Sequence, residues 1–454
     1  MREDIKRRIE QIRRGEVPEG YVRRANDVAP KDWNAIELSN IVKVSKRKVN
    51  PARTHKDFLC IELEHIEEGT GRLIGFTSSR LQSSIKNFFE SGQILFGKLR
   101  PYLKKYYLAN SEGVCSSEIW VLIPNGEVGT KFMYYLVQSN RFIRAANVSS
   151  GTKMPRADWD YMSSATFVMP KKGEQIRISE ILSTCDRVIE LKKKLVEEKI
   201  KVKKWFMQTL LTGMICVKDI ENGTPFEELK KRIEQIRNGQ IPEGYEKKRN
   251  VGIFPVDWEL QRLVKYADKV VDGTHTTPKY VENGVPFYSV ETITSNDFKN
   301  VKFISHEEHL RLSKRCKVEK GDILLTRIGT IGKTALVDWD EEGSIYVSLA
   351  LIKISNENLR SYFYEYSKSS LFVKEVLRQS LLLATPPKIN MNDIEKVKLV
   401  ISSSGVERTR IAEILSTADK EIDLLNKDLK QWELKKKSLM QLLLTGIVRV
   451  STEN

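Results

Sequence analysis

The sequence predicts an α/β protein of the α+β kind: two mixed domains separated by a long antiparallel two-helix coiled coil, with an internal pseudo-two-fold repeat. Three observations predict it. The chain repeats its flanking segments: 6–21 return at 230–245, and 178–184 return at 411–417. Two stretches of about forty residues, 174–213 and 407–446, hold no proline and carry the apolar spacing of a helical seam. Between the repeats lie short apolar runs bounded by Gly, Ser and Asn, which read as strands.

The repeat unit is about half the chain. Ile9 matches Ile233 at an offset of 224, Trp33 matches Trp258 at 225, and Gly92 matches Gly321 at 229. Lys153 and Asp158 align with Lys388 and Asp393 at 235, and 178–213 aligns with 411–446 at 233 without a gap. A unit this long is a duplicated domain plus helix rather than a solenoid repeat. Identity is high in the flanks and low in 34–150 and 259–385, which suggests one scaffold carrying two different readers.

Five segments follow in order: a shared helix in 1–22, a mixed domain in 23–170, a shared region in 171–245, a second mixed domain in 246–402, and a shared region in 403–454. In the second copy of the entry helix, Thr224 is placed to cap, Pro225 to open and Glu227 to complete a capping box, with the helix running 225–238. Residues 94–96, 119–122, 323–325 and 350–352 are expected strands, while 132–139 and 362–379 are expected helices. In the first long helix, Leu182, Ile189, Val196 and Leu210 keep a seven-residue register broken by Lys203. In the second, Leu415, Ile422, Leu429 and Leu443 keep it, broken by Lys436. Both end in Leu-Leu-Thr-Gly, at Gly213 and Gly446, with glycine placed as a C-cap. Forty helical residues span about 60 Å. Two such helices pair most simply with each other; the alternative is two separate surface helices.

Composition narrows the class. The chain has 454 residues, 40% apolar and 30% charged, with a net charge of +16. A cytoplasmic, multidomain protein with a polyanionic partner is expected, nucleic acid first. Five scattered cysteines form no CxxC pair, so neither a disulfide framework nor a zinc site is suggested. Phosphate-loop, HExxH and dinucleotide-turn motifs are missing, as is the Pro-Pro-Tyr segment of an amino-methyltransferase. Asp338, Asp340, Glu341 and Glu342 read as turn acids, and His306 and His309 as part of a surface helix start without a third metal ligand. No catalytic residue and no metal site is expected.

What remains is basic and aromatic. Lys98, Arg100, Tyr102, Lys104 and Lys105 mix cations with a ring, and Arg327, Thr330 and Lys333 stand at the matching place among glycines. Such loops neutralise phosphates, and arginine reads guanine edges. Lys153 and Arg156 pair with Lys388, Asn390 and Asn392, the asparagines being suited to adenine. Thr274, His275 and Thr276 lie in a hydroxyl-rich loop. Solvated turns are the plain alternative for each.

These residues carry a resemblance. The loop 272–280 followed by 286–290, the run 320–324, the stretch 387–390 leading into 410–416, and the helices ending in Leu-Leu-Thr-Gly resemble the DNA-specificity subunit of type I restriction–modification systems over nearly the whole chain. One departure is visible. Ser402, Ser403, Ser404 and Gly405 replace the usual Pro-rich entry to the second helix, and Glu407-Arg408 lacks the glutamine that Gln175 keeps in the first copy. The resemblance implies two target-recognition domains, each reading one half of a bipartite asymmetric DNA site, with the helical rod setting the spacer. It implies two methyltransferase (modification) subunits and ATP-dependent restriction subunits as partners. S-adenosylmethionine, ATP and magnesium would then belong to those subunits, with no cofactor bound by this chain and no membrane involved. A non-catalytic coiled-coil scaffold or adaptor without DNA recognition is the alternative.

Overall fold

The computed structural model describes residues 3–24, 27–148, 154–248 and 251–451. It divides into two compact units: 1–193 with 427–454, and 194–426. The long helices are Lys172–Leu210 and Gly405–Leu444. Each starts in one unit and ends in the other, so each unit is a mixed domain closed by the final turns of the other copy's helix.

The first unit begins with the helix Glu3–Arg13 and the antiparallel pair Tyr21–Arg24 and Asp27–Pro30. Its main sheet is antiparallel, in the order Tyr106–Leu108, Ile94–Gly97, Ile119–Pro124, Val42–Val44. A five-stranded sheet beside it contains one parallel pair, Gly113–Cys115 with Leu59–Ile61. The second unit repeats the main sheet as Thr334–Leu336, Ile323–Thr326, Leu349–Lys353 and Lys269–Asp272. It repeats the parallel pair as Ser344–Ile345 with Val285–Tyr288. All four expected strands are present. Their residues are almost wholly buried, because each main sheet is covered by helices on one face and by the second sheet on the other.

The repeated flanks explain one another. In the first unit the Tyr21 hydroxyl donates to the Gly446 carbonyl at 2.7 Å, and in the second the Tyr245 hydroxyl donates to the Gly213 carbonyl at 2.7 Å. Trp33 packs with Ile178, Leu182, Leu443 and Leu444 in one core; Trp258 packs with Leu210, Leu211, Ile411 and Leu415 in the other. Gly213 and Gly446 sit at φ +65° and +70°, and a Cβ there would lie 2.5 Å from Pro255 or 2.6 Å from Pro30. The Gly-Tyr lead-in and the Leu-Leu-Thr-Gly exit are therefore the two halves of one clasp, and both copies keep both halves.

Within each unit the helices run antiparallel. In the first, Lys193 meets Glu433 at 3.1 Å, Lys192 meets Asp428, and Asp186 meets Lys436 at 2.5 Å. In the second, Lys199 meets Glu421 at 2.7 Å and Lys203 meets Asp419. The lysines that break the apolar register are thus ion-paired with an aspartate of the opposite helix. A polar pair at a seam position fixes register at some expense of stability.

Three expectations need correction. The short helix runs Phe226–Arg237 with Pro225 rather than Thr224 at the cap and no side-chain capping bond, because proline carries no side-chain acceptor; the Thr224 N–H donates to the Asp219 carbonyl. The stretch 362–379 is two helices, Glu357–Ser367 and Ser370–Arg378, since the Ser369 hydroxyl accepts from the Phe372 N–H and starts a new helix. Gly213 lies beyond the last helical residue Leu210, at the end of a further turn rather than at the cap itself.

Candidate nucleic-acid interface

Residues 97–105 and 326–333 are equivalent hairpins, the second one residue shorter at its tip. Gly97 N–H donates to the Lys105 carbonyl at 2.8 Å, and Thr326 N–H to the Lys333 carbonyl at 2.9 Å. Lys98 N–H reaches the Glu118 carbonyl, and Arg327 N–H the Ser348 carbonyl, both at 2.9 Å. A second segment braces each hairpin. Arg100 N–H donates to Pro155 and Gly329 N–H to Pro387, both at 2.8 Å; Ala157 N–H donates to Lys98 and Ile389 N–H to Arg327, both at 2.9 Å. Bridges join Leu99 to Arg156 and Ile328 to Lys388.

This bonding sets the true equivalence. Pro155 matches Pro387, Arg156 matches Lys388, and Asp158 matches Asn390, the caps of Trp159–Ser164 and Met391–Glu395. The offset is 232, so the alignment of Asp158 with Asp393 at 235 is corrected; Lys153, aligned with Lys388, lies outside the described residues. Letter identity had forced a jump that the backbone does not make. Ser139 and Ser369 cap equivalent helices at 230, and the two extra residues of the second unit lengthen the helix, Ser370–Arg378 against Asn140–Ala146. The loop after Ser370–Arg378 carries Leu381, Leu382 and Leu383, all exposed, with Leu381 bonded to Lys388 by a backbone pair. Only its chain position, and no motif, could have signalled this apolar tip.

The hairpins differ in what occupies their left-handed positions. Arg100 and Lys104 both have φ +52°; their places in the second unit are held by Gly329 at +78° and Gly332 at +89°. Left-handed backbone costs a residue with a Cβ roughly 1–2 kcal/mol, and glycine almost nothing. Nothing lies within 4 Å of a Cβ built on Gly329, so the second loop has room as well as freedom there.

Among the described residues, Lys98, Arg100, Lys104, Lys333 and Lys388 have side chains with no hydrogen bond or ion pair. Arg100, Lys333 and Lys388 are exposed, and Lys98 and Lys104 half-buried. Cations left without carboxylate partners are poised for an external anion. Tyr102 is exposed between Arg100 and Lys104, and Thr330 lies exposed in the second hairpin. The other expected site residues are engaged internally. Lys105 donates from Nζ to the Leu63 carbonyl at 2.8 Å, and Arg156 pairs with Glu118 at 3.1 Å. Asn390 donates to Asp393 at 3.2 Å, whereas Asn392 is exposed.

Arg327 is placed differently from the expectation of a surface contact. It is buried, with Nε on the Ile389 carbonyl at 3.1 Å and Nη1 on the Val347 carbonyl at 2.9 Å and on Asp272 at 3.2 Å. Buried Asp272 also receives Arg315 and lies 2.8 Å from His275 Nε2. One carboxylate thereby ties the loop of Thr274, His275 and Thr276 to the hairpin. Thr274 N–H donates to the Ile345 carbonyl at 3.1 Å, and the Thr276 N–H donates to the Thr274 hydroxyl at 3.2 Å. His309 is buried, 2.9 Å from the Ser344 hydroxyl, and no cluster of metal-ligating residues occurs among the described residues. None of their helices is long and apolar enough to cross a membrane.

Comparison with known proteins agrees with this duplicated layout. The model of the type I restriction modification DNA specificity domain matches residues 30–201 and again 242–434. The chain is 23% identical to the type I restriction enzyme MjaVIII specificity subunit of Methanocaldococcus jannaschii, covering 94% of this chain and 95% of that one. It is 25% identical to the putative MjaX specificity subunit of the same organism, covering 93% and 95%. In fold it is similar to the S subunit of a type I restriction–modification system from M. genitalium, with a TM-score of 0.53 at 15% identity, over 90% of this chain and 96% of that one. With the family model matched once in each copy, over most of the chain, the protein belongs to the type I restriction–modification DNA-specificity subunits.

Proposed function

We propose that each unit reads one half of a bipartite, asymmetric DNA site through its hairpin and bracing segment. The observation that carries this reading is the pair of matched hairpins, each bearing an exposed cation, Arg100 or Lys333, without an internal partner. Their closing and bracing bonds agree while their tips and side chains differ, as two readers of unequal half-sites require. Lys98, Arg100, Tyr102 and Lys104 would serve the first unit, and Thr330, Lys333, Lys388 and Asn392 the second. Arg327, Thr274, His275 and Thr276 would shape the second reader around Asp272, and Lys105, Arg156 and Asn390 would brace their loops. Lys153 would add a cation to the first unit's contacts.

The chain would act without catalysis of its own, in the cytoplasm, directing two modification subunits and ATP-dependent restriction subunits. S-adenosylmethionine, ATP and magnesium would bind to those subunits. The paired helices would set the spacer between half-sites. The test is to reconstitute the chain with its modification subunits and map methylated adenines in exposed DNA. A single bipartite motif with a fixed gap is expected. Methylation without sequence preference, or no salt-dependent DNA binding, would favour a scaffold without DNA recognition.

A further inference from the structure

We propose that Arg100 and Lys104 are the determinants of DNA readout in the first unit: Arg100 on a base edge, Lys104 on a phosphate. The second unit has neither side chain: exposed Gly329 leaves room for close backbone approach, and Gly332 is buried against Val373. The inference rests on the function proposed above and goes further by naming residues and modes of contact.

Three observations converge. First, the two hairpins share their closing and bracing bonds, so the second unit shows what the scaffold itself requires at these positions: a left-handed backbone, served by glycine. Arg100 and Lys104 hold the same backbone at φ +52° with full side chains. A non-glycine residue kept in a disfavoured conformation, where glycine serves in the sister copy, is explained by a use for its side chain. Second, that use is not internal. Neither side chain has a hydrogen bond, ion pair or ring contact among the described residues, whereas neighbouring Lys105 and Arg156 both do. Third, the turn Pro101–Leu103 between them is pinned by Leu103 N–H on the Arg100 carbonyl at 2.9 Å and Lys104 N–H on the Pro101 carbonyl at 2.9 Å. Both cations thus leave a fixed platform, which limits the entropy lost on binding. Exposed Arg100 has the planar fork that matches guanine O6 and N7. Half-buried Lys104 supplies a point charge, which suits a phosphate.

The second hairpin has the opposite design. Gly329 presents no Cβ and has open space around it, so a phosphate or base edge can approach the loop backbone there.

The test compares parent, R100G, R100K and K104G chains, each reconstituted with the modification subunits, by thermal melting and by methylation of duplexes varied at every position of the mapped site. The R100G chain is expected to melt at the parent temperature or up to about 3 °C above it, since the strain that glycine relieves matches or exceeds the cost of the unfolded-state entropy it adds. It should lose about 10- to 100-fold discrimination at one G·C pair of one half-site, with the other half-site unchanged. The R100K chain should bind but lose the same discrimination, because an ammonium lacks the fork. The K104G chain should weaken binding to all sequences alike and lower the salt slope by about 1. Unchanged selectivity in R100G would overturn the inference, and so would a marked fall in its melting temperature, which would make Arg100 a scaffold residue. If the parent itself methylates no defined site, the proposed function fails first and this inference with it.

Discussion

The two units solve the same structural problem with the same clasp and two different charge arrangements. In the first, Trp33 Nε1 donates to Glu174 at 3.0 Å, and Arg449 joins Glu174 to Asp32. In the second, the equivalent Trp258 Nε1 is buried without a partner among the described residues, and Glu407 turns to the Ser402 hydroxyl at 2.6 Å and the Val217 N–H at 3.3 Å. At the seam, Lys436 has Asp186 as its carboxylate, itself bonded by the Tyr135 hydroxyl at 2.7 Å. Lys203 shares Asp419 with Lys368, which also holds Glu365 at 2.7 Å. Backbone geometry is common property; the polar contacts around it have drifted apart. Divergence is therefore expected first in side chains that touch the common frame, and most freely in hairpins whose side chains point to solvent.

The largest and most symmetric effect should come from the clasp. Gly213→Ala and Gly446→Ala each combine a left-handed φ with a Cβ clash against proline, so each should cost about 2–4 kcal/mol by denaturant unfolding. A large difference between them would show that the two clasps are not equivalent.

The seam should then separate the units. Lys436→Met leaves Asp186 with only neutral partners and should cost about 1–3 kcal/mol. Lys203→Met leaves Lys368 still paired with Asp419 and Glu365, so it should cost less. The reverse order would contradict this reading of the second unit's four-charge cluster. A smaller contrast is expected at the tryptophans. Trp33→Phe loses a hydrogen bond to Glu174, which keeps Arg449, whereas Trp258→Phe removes an unsatisfied donor, so the first should cost about 1 kcal/mol more.

The smallest effect is one of pH. Burial raises the Asp419 pKa, but its bonds to Lys203 and Lys368 prevail and leave it below the ordinary value. A depressed carboxylate stabilises the fold above its unfolded pKa and loses that contribution as pH falls through the folded value. Asp419→Asn should thus be destabilised at neutral pH, and its deficit relative to the parent should shrink below about pH 4. A deficit independent of pH would assign the effect to packing.

Much of this architecture was legible because it is local or repeated. The heptad run and missing prolines announced the long helices, and the two copies of Gly-Tyr and Leu-Leu-Thr-Gly marked both parts of the clasp. That these motifs bind each other was not legible, since Tyr21 and Gly446 are nearly a chain length apart. The lysines at 203 and 436 read as register breaks; their aspartate partners needed the helix pairing. Arg327 read as a surface cation because Asp272, the charge that holds it inward, lies 55 residues away. Arg100 was found by composition, but its left-handed backbone arises only when the hairpin closes against Pro155.

The central claim is that each unit reads its own half-site. Replacing 34–150 with the corresponding segment of another specificity subunit, then mapping methylated adenines of the reconstituted complex, tests it most directly. A new sequence in one half-site, with the other half-site and the spacer unchanged, is the predicted result. A change in both half-sites, or in neither, would contradict it.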